Sequence, residues 1–261
     1  MLARVVTGQQ LSILKQNKSI KVYLDIFLTP TFVYSQLKDY NIGNIFLKER
    51  LDYENLSDHS LLLSKVEEVL NIINIDLYDV VEPKLILDNN NYILVPESLY
   101  KKGKEKTYLK FNTNFESNDY IEVDNLQKLS VFNVYLPCVI INNYLIDKFK
   151  KLEFYHFNTV LINKIVNSNN PSSCYCFIES RVLKILILKK NEILFFNSYE
   201  YKTIDDILYY LLLALNDKNL KRETLSVSIY TNKKNEGIKS KFGNFIKNIS
   251  IFKYDNIIEL H

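Results

Sequence analysis

Glycine is scarce in this chain: there are five among 261 residues, alongside five prolines, three cysteines, one methionine and no tryptophan. Each shortage excludes something. Loops that cradle phosphates use glycine to bring backbone amides close to the anion, so the few glycines must stand at the right turns for such chemistry. The odd cysteine count, Cys138, Cys174 and Cys176, shows no framework spacing and argues against a secreted, disulfide-built domain. Cys174 and Cys176 stand two apart and lack a second pair, so neither a zinc knuckle nor any other metal site is expected. No apolar run reaches the roughly 18 residues of a membrane-spanning helix. The most apolar stretch, Ile207 to Leu215, is bounded by Asp206 and Asn216. No apolar segment follows Arg4 as a signal peptide would require, so the cytoplasm is the expected compartment.

Charge is present in balance, with 33 basic and 30 acidic residues. A net charge of +3 gives no reason to expect nucleic acid. The short tract Lys101 to Lys106 and the Lys-rich stretch Lys233 to Lys247 read as a solvated loop and a solvated helix face, with a polyanion site as the alternative. Hydrophobic residues make up 47% of the chain, enough for ordinary globular cores, and the length suits two domains.

The pattern of elements repeats. Ile20 to Phe27, Thr31 to Gln36 and Ile45 to Lys48 read as three strands, separated by Thr29-Pro30 and by the turn at Asn41 to Asn44. Leu62, Val66, Val69, Leu70 and Ile73 then form a helical stripe, with Ser57 or Asp58 as its N-cap. Lys84 to Asp88 and Tyr92 to Val95 are strands, and Tyr108 to Phe111 is expected as another. Leu129 to Tyr135 is a strand leading to a helix opened by Pro137. Glu153 to Phe157 reads as a strand and Thr159 to Val166 as a helix. The run Asn167 to Ser173 has linker composition. After it come strands at Cys174–Ile178, Arg181–Lys189 and Ile193–Tyr199, and a helix that starts at the Thr203-x-x-Asp206 capping pattern. A strand at Leu225–Tyr230, a helix striped by Ile238, Phe242, Phe245 and Ile246, and a last strand at Ile249–Phe252 complete the order. The domain expectation is therefore a tail over residues 1–18, a first lobe with an insertion over 19–170, and a second lobe over 171–261.

Three antiparallel strands followed by helix crossovers give a mixed sheet covered on both faces. This α/β order resembles the ribonuclease H-like fold, and two copies in tandem resemble the actin-like ATPase superfamily. The step Val131 to Pro137 and the restart from Cys174 to Ser198 are similar to parts of the cytoplasmic actin-like proteins of type IV pilus and type II secretion assembly. The block Leu194 to Thr203, running into Asp206 to Leu212, resembles an uncharacterised Bacteroidota family, a domain of unknown function. The resemblance covers about Ile20 to Phe252 and implies a fold without an assigned activity.

The resemblance also implies where nucleotide would bind: at one turn in each lobe and at a later adenosine loop. The first turn, Asp25 to Pro30, holds no glycine. In the second, Phe177 stands where the superfamily places an aspartate, and Glu179 where it places glycine. The third site reads Thr231-Asn232-Lys233-Lys234 in place of a glycine pair. These departures argue against an ATPase or kinase, which stands as the first alternative. A metal-dependent ribonuclease H-like nuclease using Asp25, Glu67 or Glu68, and Asp88 is the second. Against it, the glutamates fall between stripe positions, and Asp88 opens an Asn-rich turn. His59, His156 and His261 have no partners at catalytic spacing, and no nucleophile elbow is present.

What remains is aromatic. Asn197, Tyr199, Tyr201 and Tyr209, with Tyr210, read either as core packing with hydroxyls at the rim or as an interaction surface. The expectation is a non-catalytic actin-like scaffold or interaction module that binds a protein partner, with no cofactor and no membrane span.

Overall fold

A computed structural model describes residues 20–54, 56–116, 118–168, 173–190, 192–232 and 236–258. In chain order the elements are β1 (Ile20–Leu28), β2 (Phe32–Asp39), β3 (Ile45–Asp52), α1 (His59–Ile72), β4 (Tyr78–Leu87), β5 (Tyr92–Pro96), α2 (Glu105–Leu109), β6 (Glu122–Leu126), β7 (Val131–Tyr135), α3 (Val139–Phe149), β8 (Glu153–His156), α4 (Phe157–Asn167), β9 (Cys174–Glu179), β10 (Val182–Lys189), β11 (Glu192–Glu200), α5 (Ile204–Asp217), β12 (Ser226–Thr231), α6 (Glu236–Gly243), β13 (Asn248–Phe252) and α7 (Asp255–Ile258).

Two five-stranded mixed sheets have the same layout. One runs β3-β2-β1-β4-β8 and the other β11-β10-β9-β12-β13. In each, the first three strands pair antiparallel and the fourth lies parallel to the first. This is the duplicated ribonuclease H-like order. Even an irregularity is shared: the pairing of β2 with β3 skips Phe46, and that of β10 with β11 skips Leu194. Each skip is a bulge that bends the third strand.

The chain forms two compact units. The described residues up to Asp88 join Pro137–Tyr155 in one, and Asn89–Leu136 joins the described residues from His156 onward in the other. By this division the insertion and α4 cluster with the second sheet. The tail over residues 1–18 lies outside the described residues, as does most of the linker at Asn167 to Ser173.

The core of the first unit follows from strand alternation. Val22, Leu24, Ile26 and Leu28 of β1 face Leu62, Val66, Val69 and Leu70 of α1 and Ile141 and Leu145 of α3. Burying each such side chain contributes about 1.5–3 kcal/mol. Asp58 caps α1 by accepting from the Ser60 and Leu61 amides at 2.7 and 3.2 Å. In the second unit Cys174, Cys176, Ile178, Leu183, Ile185 and Ile187 pack under α5 and α6. Thr203 and Asp206 form the expected reciprocal cap of α5. A smaller core of Val95, Leu109 and Val134 supports the three-stranded antiparallel sheet β5-β7-β6.

Several local expectations change. The strand expected at Tyr108–Phe111 is instead the last two residues of α2 and the turn that follows it. The Tyr108 hydroxyl donates to Leu99 O and accepts from the Lys101 amide, while Leu109 is fully buried, so tertiary anchors decide a short apolar run that periodicity leaves ambiguous. The helix after Pro137 begins at Val139 with Cys138 as N-cap. β3 and β4 are longer than expected: pairing with β2 continues through Lys48, Glu49, Arg50 and Asp52, and pairing with β1 begins at Tyr78, in each case through charged residues that are exposed or half-buried.

Candidate functional site

The turn between β1 and β2 is closed by its own threonine. Thr29 N donates to Phe32 O at 3.0 Å. Pro30 has no amide proton. The amides of Thr31 and Phe32 both donate to Thr29 Oγ1, at 3.1 and 3.0 Å, and that hydroxyl donates to Phe32 O at 3.1 Å. Outward carbonyls are also engaged: Tyr53 donates its hydroxyl to Thr29 O at 2.8 Å, and the Leu56 amide donates to Pro30 O. A phosphate loop works by aiming free amides at an anion. Here every amide of the turn is absent or already bonded.

The second hairpin turns through Ser180 and Arg181, with Ser180 in the left-handed region at φ 51°. Tyr201 ties it down, its hydroxyl donating to Ser180 O at 2.9 Å and its amide to Arg181 O. Phe177 is buried and lies opposite Tyr230, which lies opposite Phe252. The three rings stack in sequence at 5.2 and 5.1 Å. Phe177, where the resemblance leads one to expect an acid, is thus the end of an aromatic ladder across β9, β12 and β13. At the third loop, Asn232 accepts from the Tyr254 amide and donates to Asp255. Lys233 and Lys234 lie outside the described residues.

The carboxylates of the nuclease reading do not converge. Asp25 is buried in β1, paired with Lys38 at 2.8 Å and accepting from Gln36 Nε2 at 2.8 Å. It sits opposite Lys84, whereas Asp88 follows the Leu28–Leu87 pair. Four residues along a strand separate the two by about 13 Å. Glu68 is engaged by Lys65 on the exposed face of α1. Among the described residues no group of three or more His, Cys, Asp or Glu side chains is placed to hold a metal ion.

The histidines go to different fates. His59 opens α1, and His261 lies outside the described residues. His156 is the N-cap of α4, a role hidden by its aromatic neighbours in sequence. Its Nδ1 accepts from the Asn158 amide, and its Nε2 donates to Asn89 O. Burial, followed by the nearby Lys184 ammonium, pushes its pKa down to about 3. Beside it Asp124 accepts from the His156 amide and the Tyr135 hydroxyl, and burial raises its carboxyl pKa. This buried polar cluster was missed in sequence, because no periodic signal marks Asp124 or Thr159 as inward-facing. It locks α4 against the three-stranded sheet. The Lys101–Lys106 tract borders an open cleft of about 400 Å³, where Tyr100 donates to Glu105 at 2.7 Å and the mixed charges of Lys102, Lys106 and Glu122 favour no single ion.

The aromatic block divides between interior and surface. Tyr201 is in the core of the second unit. Tyr199 stacks on Tyr210 at 4.3 Å, and Tyr210 meets Tyr209 edge-on at 5.4 Å. Tyr209 is 60% exposed, and Asn197 projects from the edge strand β11.

Over residues 16–249 the chain matches the family described as "Protein of unknown function (DUF3822)". The chain belongs to this family. No curated protein matches it in sequence. Among solved structures it is similar to a Bacteroides thetaiotaomicron protein with an actin-like ATPase fold and unknown function, at 17% identity, 91% and 93% coverage of the two chains and a TM-score of 0.78. A chain of the PilM-PilN type IV pilus biogenesis complex aligns at 9% identity, 90% and 89% coverage and a TM-score of 0.55. The ethanolamine utilization protein EutJ from Carboxydothermus hydrogenoformans aligns at 10% identity, 94% and 93% coverage and 0.50. At these identities the likeness establishes the fold. This DUF3822 chain has the actin-like ATPase fold, built from two mixed-sheet halves flanked by helices. Among the described residues no helix is long and apolar enough to cross a membrane.

Proposed function

We propose that this DUF3822 protein is a non-catalytic actin-like scaffold that docks protein partners and does not turn over nucleotide. The observation that carries the reading is the β1–β2 turn, where Thr29 and Pro30 leave no amide for a phosphate. The Phe177 ladder and the Glu179 carboxylate at the second turn support it, since a carboxylate there repels an anion. The PilM-PilN structure is a complex, so this fold occurs with a protein partner elsewhere. The aromatic surface at Asn197, Tyr199 and Tyr209 is the docking face in this reading, with Tyr201 bracing it from inside. The three cysteines are free and buried, which suits the reducing cytoplasm we assign to it.

Differential scanning with ATP and Mg²⁺ tests the proposal. A nucleotide present at about 100 times its Kd stabilises by about 2.7 kcal/mol, a rise of roughly 5–10 °C for a domain of 150–250 residues. The expected result is an unchanged melting temperature; a rise of that size overturns the scaffold reading.

A further inference from the structure

β11 is an edge strand of nine residues. Other edges carry the usual defences against pairing. β3 has Lys48, Glu49 and Arg50 in its middle, β5 ends in Pro96, and β6, β8 and β13 have five residues or fewer. Past its bulge at Leu194, β11 reads Phe195-Phe196-Asn197-Ser198-Tyr199, without charge, proline or glycine.

The outward side of this segment is identifiable. The Ser198 amide donates to its neighbour's Asn197 Oδ1 at 2.9 Å, so it does not serve the ladder with β10. Antiparallel bonding alternates, so the outward amides are those of Phe196 and Ser198, and Asn197 bonds inward. We propose that β11 pairs antiparallel with β11 of a second copy of this chain, about a two-fold axis through Asn197. This rests on the interaction-module reading, in that it takes the same aromatic face as a docking surface and names its partner.

The register is self-complementary. Phe196 of one copy opposes Ser198 of the other, so the outward amides meet outward carbonyls as a hydrogen-bonded pair, and the Asn197 side chain yields its place on the Ser198 amide. Phe195 of one copy opposes Tyr199 of the other, an aromatic cross-strand pair formed twice. Glu200 opposes Leu194, so no carboxylates meet. Phe195 and Tyr199 lie on the face packed under α5, where Tyr199 continues through Tyr210 to Tyr209. Tyr209 and, one turn on, Leu213 are the exposed large apolar residues of α5, at 60% and 46%. Pairing the strands brings this aromatic margin of one copy against that of the other, which is the composition of a homodimer interface.

Asn197 opposes itself, and this supplies the test. Sedimentation velocity of the wild type at about 1–100 μM, a range that brackets micromolar affinity, should show a dimer. Asn197→Lys and Asn197→Glu alter an exposed side chain and should each give monomers, because like charges face each other across a close pair. An equimolar mixture of the two should return to dimer. Hydrogen exchange on the wild type adds a readout that needs no variant: protection at Phe196 and Ser198 should rise with protein concentration. A monomeric wild type, a dimeric single variant, an unrescued mixture or concentration-independent exchange overturns the seam. None of these outcomes bears on nucleotide binding, so the two proposals fail separately.

Discussion

Replacing Thr29 with valine keeps the shape of the side chain and deletes its hydroxyl, which isolates the chemistry of the β1–β2 turn. Three bonds of 3.0–3.1 Å converge on that oxygen, amides from Thr31 and Phe32 and its own donation to Phe32 O, with the Thr31 hydroxyl a longer fourth contact at 3.4 Å. The Phe32 residue is 1% exposed, so its amide loses its partner where water does not reach it. An orphaned buried donor costs about 1–3 kcal/mol. Thr31 is half-buried and its amide can turn to solvent, so its loss and that of the donated bond add about 1 kcal/mol together. The sum is about 2–4 kcal/mol. Thr29→Ser retains the oxygen and should cost less than about 1 kcal/mol, the value of one buried methyl group. Urea denaturation of the full chain measures both, with hydrogen exchange at Phe32 as the local readout. If Thr29→Val proves no worse than Thr29→Ser, the hydroxyl does not hold these amides, and the case against a phosphate site at this turn loses its footing.

Two further outcomes follow from the caps. His156 is neutral in the fold with a pKa of about 3, against about 6.5 when unfolded. Its contribution is complete above pH 6.5 and declines by up to about 1.4 kcal/mol per unit as pH falls toward 3. Asp124 works in the opposite sense, because its raised pKa gives stability at acid pH that is lost as pH rises through the folded value. His156→Asn retains an N-cap acceptor and should flatten the loss between pH 6 and pH 4 in chemical denaturation; an unchanged acid slope would count against the buried neutral histidine. Thr203→Ala removes the hydroxyl that accepts from the Asp206 amide at the start of α5 and should cost about 0.5–2 kcal/mol, seen as faster exchange in the first turn of α5.

The repeating layout was legible because it depends on period. Three runs of β-branched and aromatic residues followed by a helical stripe occur twice, and the two sheets realise that order strand for strand. Where period is weak, the reading failed. Tyr108 to Phe111 is too short to separate strand from helix, and its conformation is decided by the Tyr108 hydroxyl and the buried Leu109. The candidate turns were readable as glycine-free, but not as self-bonded. Thr-Pro-Thr hints at a hydroxyl-closed turn, while the engagement of Thr29 O by Tyr53 joins residues 24 apart. His156 was hidden for a related reason: capping depends on where a helix begins, and the aromatic residues around it mask the start. Tyr201 and Tyr209 divide between interior and surface because Tyr201, in the link between β11 and α5, turns its hydroxyl to the Ser180 carbonyl, while Tyr209 stands on an exposed position of α5.

The division into two units has a consequence for how the protein is made. The chain passes from one unit to the other at Asp88–Asn89, returns at Leu136–Pro137 and leaves again at Tyr155–His156. On the ribosome, β1 to β4 emerge well before α3 and β8, the pieces that complete their sheet and core. In between come the 48 residues of Asn89–Leu136, which belong to the other unit. The half that is translated first therefore cannot close its sheet until Tyr155 has been made, although its pieces are still complete before those of the other unit, which runs on from His156. Its exposed β4 edge must wait several seconds at ordinary rates of synthesis, a window in which a chaperone or a neighbouring nascent chain can reach an edge that the finished protein covers.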